Sequence, residues 1–96
     1  MRLVLPALLL LAAPALAQTG FTPEQQRGYQ SIYPILAEVS PQDGDVMASC
    51  VVAVARPEEV ATMAAAGGPS TELGALVSQI IARPEAIGCI QATLGG

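Results

Sequence analysis

The chain has 96 residues, 52% of them hydrophobic, 12% charged and 3% aromatic, with a formal net charge of −4 and no histidine. So few charges among so many aliphatic side chains exclude a disordered chain, because the apolar surface is enough to drive collapse. The acidic balance, with no cluster of basic residues, excludes the phosphate-tracking stripe of a nucleic-acid-binding protein and disfavours adsorption to anionic membranes.

Arg2 heads an uncharged apolar run, Leu3 to Leu16, that ends in Ala15-Leu16-Ala17. A positive start, an apolar centre and small residues at the two positions read by a signal peptidase define a secretory signal, so residues 1–17 are expected to be removed and the mature chain to begin at Gln18. The run falls short of the about 20 apolar residues that a spanning helix needs. Pro6 and Pro14 interrupt it, and a helix break at Pro14 helps to present an extended cleavage site. Residue 18 is not a cysteine, so no lipid attachment is expected there. The longest uncharged apolar run downstream is Cys50 to Ala55, too short to insert stably in a membrane. Residues 18–96 are therefore expected to form one small domain in a bacterial periplasm or outside the cell.

The rest reads as helices, with proline at their starts and glycine at their ends. Thr22 is placed to cap a first helix that Pro23 opens, with Glu24 in the first turn. Tyr29, Ile32, Tyr33 and Leu36 follow at helical spacing. Pro34 removes a backbone donor and disfavours helix at Tyr33, which predicts a kink or break there. Ser40-Pro41 repeats the cap-then-proline pattern and is expected to open the second helix, with Asp43 in its first turn and Gly44 as a weak point. Val46, Met47, Cys50, Val51 and Val54 share one face of it. Val52, Ala53 and Ala55 make its second half apolar nearly all round, which suits the centre of a bundle or a subunit contact.

Arg56-Pro57 ends that helix and opens a short third one. Glu58 and Glu59 stand in its first turn, and Val60, Met63 and Ala64 point inward. Gly67-Gly68 terminates it, and Pro69 bars continuation. Ser70 or Thr71 caps a fourth helix with the cleanest apolar stripe in the chain: Leu73, Leu76, Val77, Ile80 and Ile81. Arg83-Pro84-Glu85 then repeats the break at Arg56-Pro57-Glu58, which reads as one capping solution used twice, with a duplicated helix pair as the alternative. The last helix carries Ile87, Cys89, Ile90 and Leu94. The valines from Cys50 to Val54 favour a strand, but no second segment of that kind exists to pair with it. The fold class is therefore all-α, a bundle of four to five short helices.

A domain of this size sits near the lower limit for a self-sufficient core. The two cysteines, Cys50 and Cys89, allow a single intramolecular pairing, and an oxidising compartment favours it. Closing a loop of roughly 40 residues contributes about 4 kcal/mol in the chain-entropy model, a large share of the about 5–15 kcal/mol that holds a typical domain together.

The chemistry is defined mostly by what is missing. Without histidine there is no ordinary general base or commonest metal ligand, and without lysine there is no Schiff base. The cysteines are too far apart for a Cys-x-x-Cys redox or haem motif. Gly67-Gly68 follows a helix and lacks the lysine of a phosphate loop. Asp43-Gly44-Asp45 lacks the further regularly spaced oxygens of a calcium loop. Glu58 and Glu59, as helix neighbours, diverge by about 100° and make no dyad. No catalytic, cofactor-binding or metal-binding residue is assigned. Tyr29 and Tyr33 read as core-edge anchors whose hydroxyls reach the surface, and Met47 and Met63 as gap fillers.

What remains is a small exported protein expected to work without catalysis, as an interaction, accessory or chaperone-like factor that meets a protein partner or a second copy of itself. The alternative is a carrier of a small hydrophobic ligand held between helices.

Overall fold

Four of the five helices open where the sequence supplies a first-turn proline or a hydroxyl cap. The computed structural model describes residues 20–95; the expected signal, with Ala15, Ala17 and the cleavage point at Gln18, lies outside them. Within the described residues the chain is all-helical: α1 Pro23–Val39, α2 Gly44–Val54, α3 Pro57–Ala66, α4 Thr71–Ile81 and α5 Pro84–Gly95.

At the start of α1, Thr22 Oγ1 accepts from the Gln25 backbone N–H at 3.1 Å, and Gln25 Oε1 accepts from the Thr22 N–H at 2.8 Å. Two otherwise orphaned donors are satisfied reciprocally. The break expected at Pro34 does not occur, and α1 runs through it. Pro34 and Gln30, whose carbonyl loses its helical partner, are both exposed. Water can therefore take the place of the missing hydrogen bond.

The second helix starts later than its sequence suggests. Ser40 closes α1 instead of opening α2: its N–H donates to the Leu36 carbonyl at 2.9 Å, and the Asp43 N–H then donates to the Ser40 carbonyl at 3.2 Å. Residues 41–43 form a turn, and α2 begins at Gly44, with no side-chain cap from Asp43. This tight connection presses the start of α2 against α1. A Cβ on Gly44 would lie 2.8 Å from Ala37 Cα and 3.0 Å from Ala37 N. The glycine is a condition of the close approach, not a weak point.

α2 lies at the centre, in contact with α1, α4 and α5. Its buried residues, Gly44, Ala48, Cys50, Val51 and Val52, are spread around the axis. Val46, Met47 and Val54, assigned by periodicity to a single inward face, are only half-buried. A helix with neighbours on several sides does not present one stripe. α3 ends at Gly67, whose φ of +73° is the left-handed conformation that stops a helix. A Cβ there would meet nothing within 4 Å, so Gly67 is required by its backbone and not by lack of space. At α4, Ser70 is the cap, its Oγ accepting from the Leu73 N–H at 3.1 Å.

The core joins Ile32 and Leu36 of α1, Ala48, Val51 and Val52 of α2, Val60 and Met63 of α3, and Leu73, Val77 and Ile80 of α4. Ile32, Met63 and Ile80 are fully enclosed. Met63 thus fills the centre, as its inward position suggests. α5 contributes no residue to this cluster. It turns away from α4 by 78° and packs chiefly on α2. Its buried side chain is the small Ala86, while Ile87 and Leu94 face outward, 43% and 49% exposed. No single helix among the described residues is long and apolar enough to cross a membrane.

Candidate functional site

Three local arrangements place the chemically distinctive side chains. The first is the disulfide. Cys50, on the central helix, is bonded to Cys89 on α5, with the Cα atoms 5.7 Å apart. Cys50 is 2% exposed and Cys89 is half-buried. The expected pairing is present, and it ties the peripheral helix to the middle of the fold.

The second arrangement joins the two Arg-Pro-Glu breaks. Glu59 stands at the third position of α3, where its Oε1 accepts from the Arg56 N–H at 2.8 Å and so caps the helix from within its first turn. The same carboxylate receives Arg83 from the α4–α5 junction: Nη1 donates to Oε1 at 2.9 Å and Nη2 to Oε2 at 2.5 Å. Two parallel bonds of this kind fix geometry as well as charge. The Arg83 hydrogen bonds, reinforced by the Arg56 N–H and the nearby guanidinium charges, hold the Glu59 carboxyl at about 2 against the opposing effect of burial. Arg83 is correspondingly pushed above its ordinary value, first by its hydrogen bonds to Glu59. The recurrence is therefore asymmetric. In the second copy the residue equivalent to Glu59 is Ala86, which is fully buried, a place where a carboxylate would be stranded without solvent. The first break supplies the acid and the second the base, and the lock forms between them.

The third arrangement lies where α1 meets the start of α2. Tyr29 and Tyr33 stack with ring centroids 5.7 Å apart and planes inclined by 23°. The Tyr29 hydroxyl donates to Asp45 Oδ1 at 2.5 Å. Burial, and then the hydrogen bond to Asp45 and its charge, push the Tyr29 hydroxyl well above its ordinary value. Tyr29 is a core-edge anchor as its spacing suggests, packed against the core cluster, whereas Tyr33 is 37% exposed and stacks on Tyr29 from outside. Of the Asp43-Gly44-Asp45 segment, one carboxylate holds Tyr29 and the glycine carries the helix contact. No group of three or more potential metal-ligating acids or cysteines occurs among the described residues.

A depression of about 170 Å³ lies between α1 and α3, lined by Arg27, Gln30, Ser31, Ala64 and Gly67. The outer face of α5 presents Ile87 and Leu94, with the half-buried Ile90 between them. These positions, three and seven residues apart, share one helical face. From Ala86 to Gly95 the helix has no charged side chain.

Periodicity did not reveal the Glu59–Arg83 lock or the Tyr29–Asp45 bond, because both join residues distant in sequence. The one available signal for the lock was the Arg-Pro-Glu recurrence, in which an acid in one copy stands against an alanine in the other. Comparison with known protein families, with characterised proteins and with solved structures finds no match to this chain.

Proposed function

We propose that this chain is an exported, disulfide-closed helical protein that acts by contact with a protein partner, as an accessory or chaperone-like factor, and not by catalysis. The observation that carries the reading is the outer face of α5. Beyond Glu85 in its first turn this helix carries no charge and adds nothing to the core cluster, and Ile87 and Leu94 are turned to solvent. Such a face gains by covering apolar area and offers nothing for a charged partner to pair with. The partner it fits therefore presents an uncharged apolar surface.

Several of the titratable side chains are occupied structurally. Glu59 holds Arg83, and Asp45 holds Tyr29. Export is supported by the leader-like composition of residues 1–17 and is compatible with the Cys50–Cys89 bond, which suits an oxidising compartment. The depression between α1 and α3 has Arg27, Gln30 and Ser31 beside Ala64 and Gly67 in its wall, and a guanidinium there gives little support to carriage of a hydrophobic ligand.

The test is site-directed photocrosslinking in the native host, with a photoreactive residue at 87 or 94 and, as the opposite control, at exposed position 62 of α3. A discrete protein adduct from 87 and 94, absent from 62, is expected. Its mass tells a different partner from a second copy of the chain. Equal labelling from all three positions, or none from any, would overturn the reading.

A further inference from the structure

We propose that α5 is a redox-releasable element: reduction of Cys50–Cys89 detaches and melts this helix while α1 to α4 stay folded. The division follows from what holds each part. All ten residues of the buried cluster come from α1 to α4, and the half-buried side chains packed against it come from the same helices and their flanks. α5 supplies none of either. It buries one side chain, Ala86, and the hydrogen bond made by its Thr93 hydroxyl is internal, to the Cys89 carbonyl at 2.9 Å. The Glu59–Arg83 lock holds the residue that opens α5, whose carbonyl accepts from the Ile87 N–H at 3.0 Å, so it anchors the start of the helix and not its later turns.

The disulfide is thus the strongest link between α5 and the rest. A helix of this length is marginal alone in water. Once unlinked, it has too little burial to offset the conformational entropy of ordering its backbone. Local opening of this kind separates a weakly packed unit from a stable one.

The bond is also placed for attack. Cys89 is half-buried, whereas Cys50 is 2% exposed beneath α5. Access directs an incoming thiolate to the Cys89 sulfur. The co-reactant is a dithiol reductant. Its first thiolate bonds to Cys89 Sγ, the Sγ–Sγ bond breaks, and Cys50 leaves as a thiolate that takes a proton from water. The second thiolate of the reductant then attacks its own sulfur in the mixed disulfide. Cys89 is expelled as a thiolate and is protonated in turn. Two electrons pass to the protein, and the dithiol ends as a disulfide. Release uncovers the α2 surface around Cys50 and frees a segment that carries no charge from Ala86 to Gly95.

Hydrogen–deuterium exchange on the purified protein, oxidised and then reduced with dithiothreitol, reads the outcome directly. Peptides from α5 are expected to lose their protection on reduction, while peptides carrying Ile32, Val51, Met63 and Ile80 keep theirs. A Cys50→Ala/Cys89→Ala double variant should show the same division without reductant. A monothiol offered to the native protein should be trapped as a mixed disulfide on Cys89. Loss of protection in all helices together would overturn the proposal, because α5 would then belong to the cooperative core. Retained protection in α5, or trapping on Cys50, would overturn it equally.

Discussion

Gly44→Ala tests the tightest glycine position among the described residues. In an unencumbered helix the change is favourable by roughly 0.5–1 kcal/mol, because glycine loses more conformational freedom on folding. Here the added methyl would sit 2.8 Å from Ala37 Cα, 3.0 Å from Ala37 N and 3.2 Å from the Leu36 carbonyl carbon. All three are main-chain atoms of α1, so no side chain can rotate away. Either α1 or the start of α2 must shift, and overpacking of that kind costs about 1–3 kcal/mol. The net expectation is destabilisation by about 1–2 kcal/mol, equivalent to a fall in Tm of about 5–15 °C for a domain this small. Gly74→Ala is the matched control. Gly74 lies inside α4, and a Cβ there meets nothing within 4 Å, so this variant should be more stable than the parent by about 0.5–1 kcal/mol. Thermal and urea unfolding of the oxidised proteins, followed by far-ultraviolet circular dichroism, measures both. If Gly44→Ala stabilised the protein as much as Gly74→Ala, the close α1–α2 contact would be refuted.

Further expectations concern the polar contacts and the outer face. Glu59→Gln should destabilise the fold by about 1 kcal/mol at neutral pH, a figure reduced from the full pKa displacement because the pair is partly solvated. The carboxyl is lowered from 4.5 to about 2, so its contribution is complete above about pH 4.5 and is lost as pH falls through about 2; acid unfolding curves of parent and variant should converge there. Asp45→Asn removes a charge and a charged acceptor that oppose ionisation of Tyr29, so tyrosinate absorbance should appear at lower pH than in the parent. An unchanged titration would deny the Tyr29–Asp45 bond in solution. Leu94→Asp, at a half-exposed position, should change stability by no more than about 0.5 kcal/mol but should abolish the crosslinked adduct formed through position 87. Retention of that adduct would remove α5 from the contact.

The helices and their caps were legible because they are local. Thr22 with Pro23, Ser70, and Gly67 each act within one turn of themselves, and the sequence shows them directly. Cys50 and Cys89 were legible for another reason: two cysteines leave one intramolecular pairing. The start of α2 was misread because Ser40-Pro41 is a sound local cap, yet the approach of α2 to α1 through Gly44 decides where the turn ends. At Pro34 the helix is not broken, because the unbonded Gln30 carbonyl lies on an exposed face, which periodicity does not report. On α5, the sequence places Ile87 and Leu94 on the helix but does not say which way they face. Their outward placement follows from the 78° turn after α4, a tertiary fact. The Glu59–Arg83 lock was hidden in the same way, each residue looking like an ordinary terminal charge until the two junctions are brought together.

Trimming, export and closure by one sulfur bridge are the central proposal for this chain. Intact-mass analysis with peptide mapping, on protein recovered from the native host without reductant and in the presence of an alkylating agent, tests this most directly. The predicted product begins at Gln18, takes up no alkyl group and yields a single bridged peptide containing Cys50 and Cys89. A product that retains residues 1–17 and carries an alkyl group on both cysteines would contradict the account.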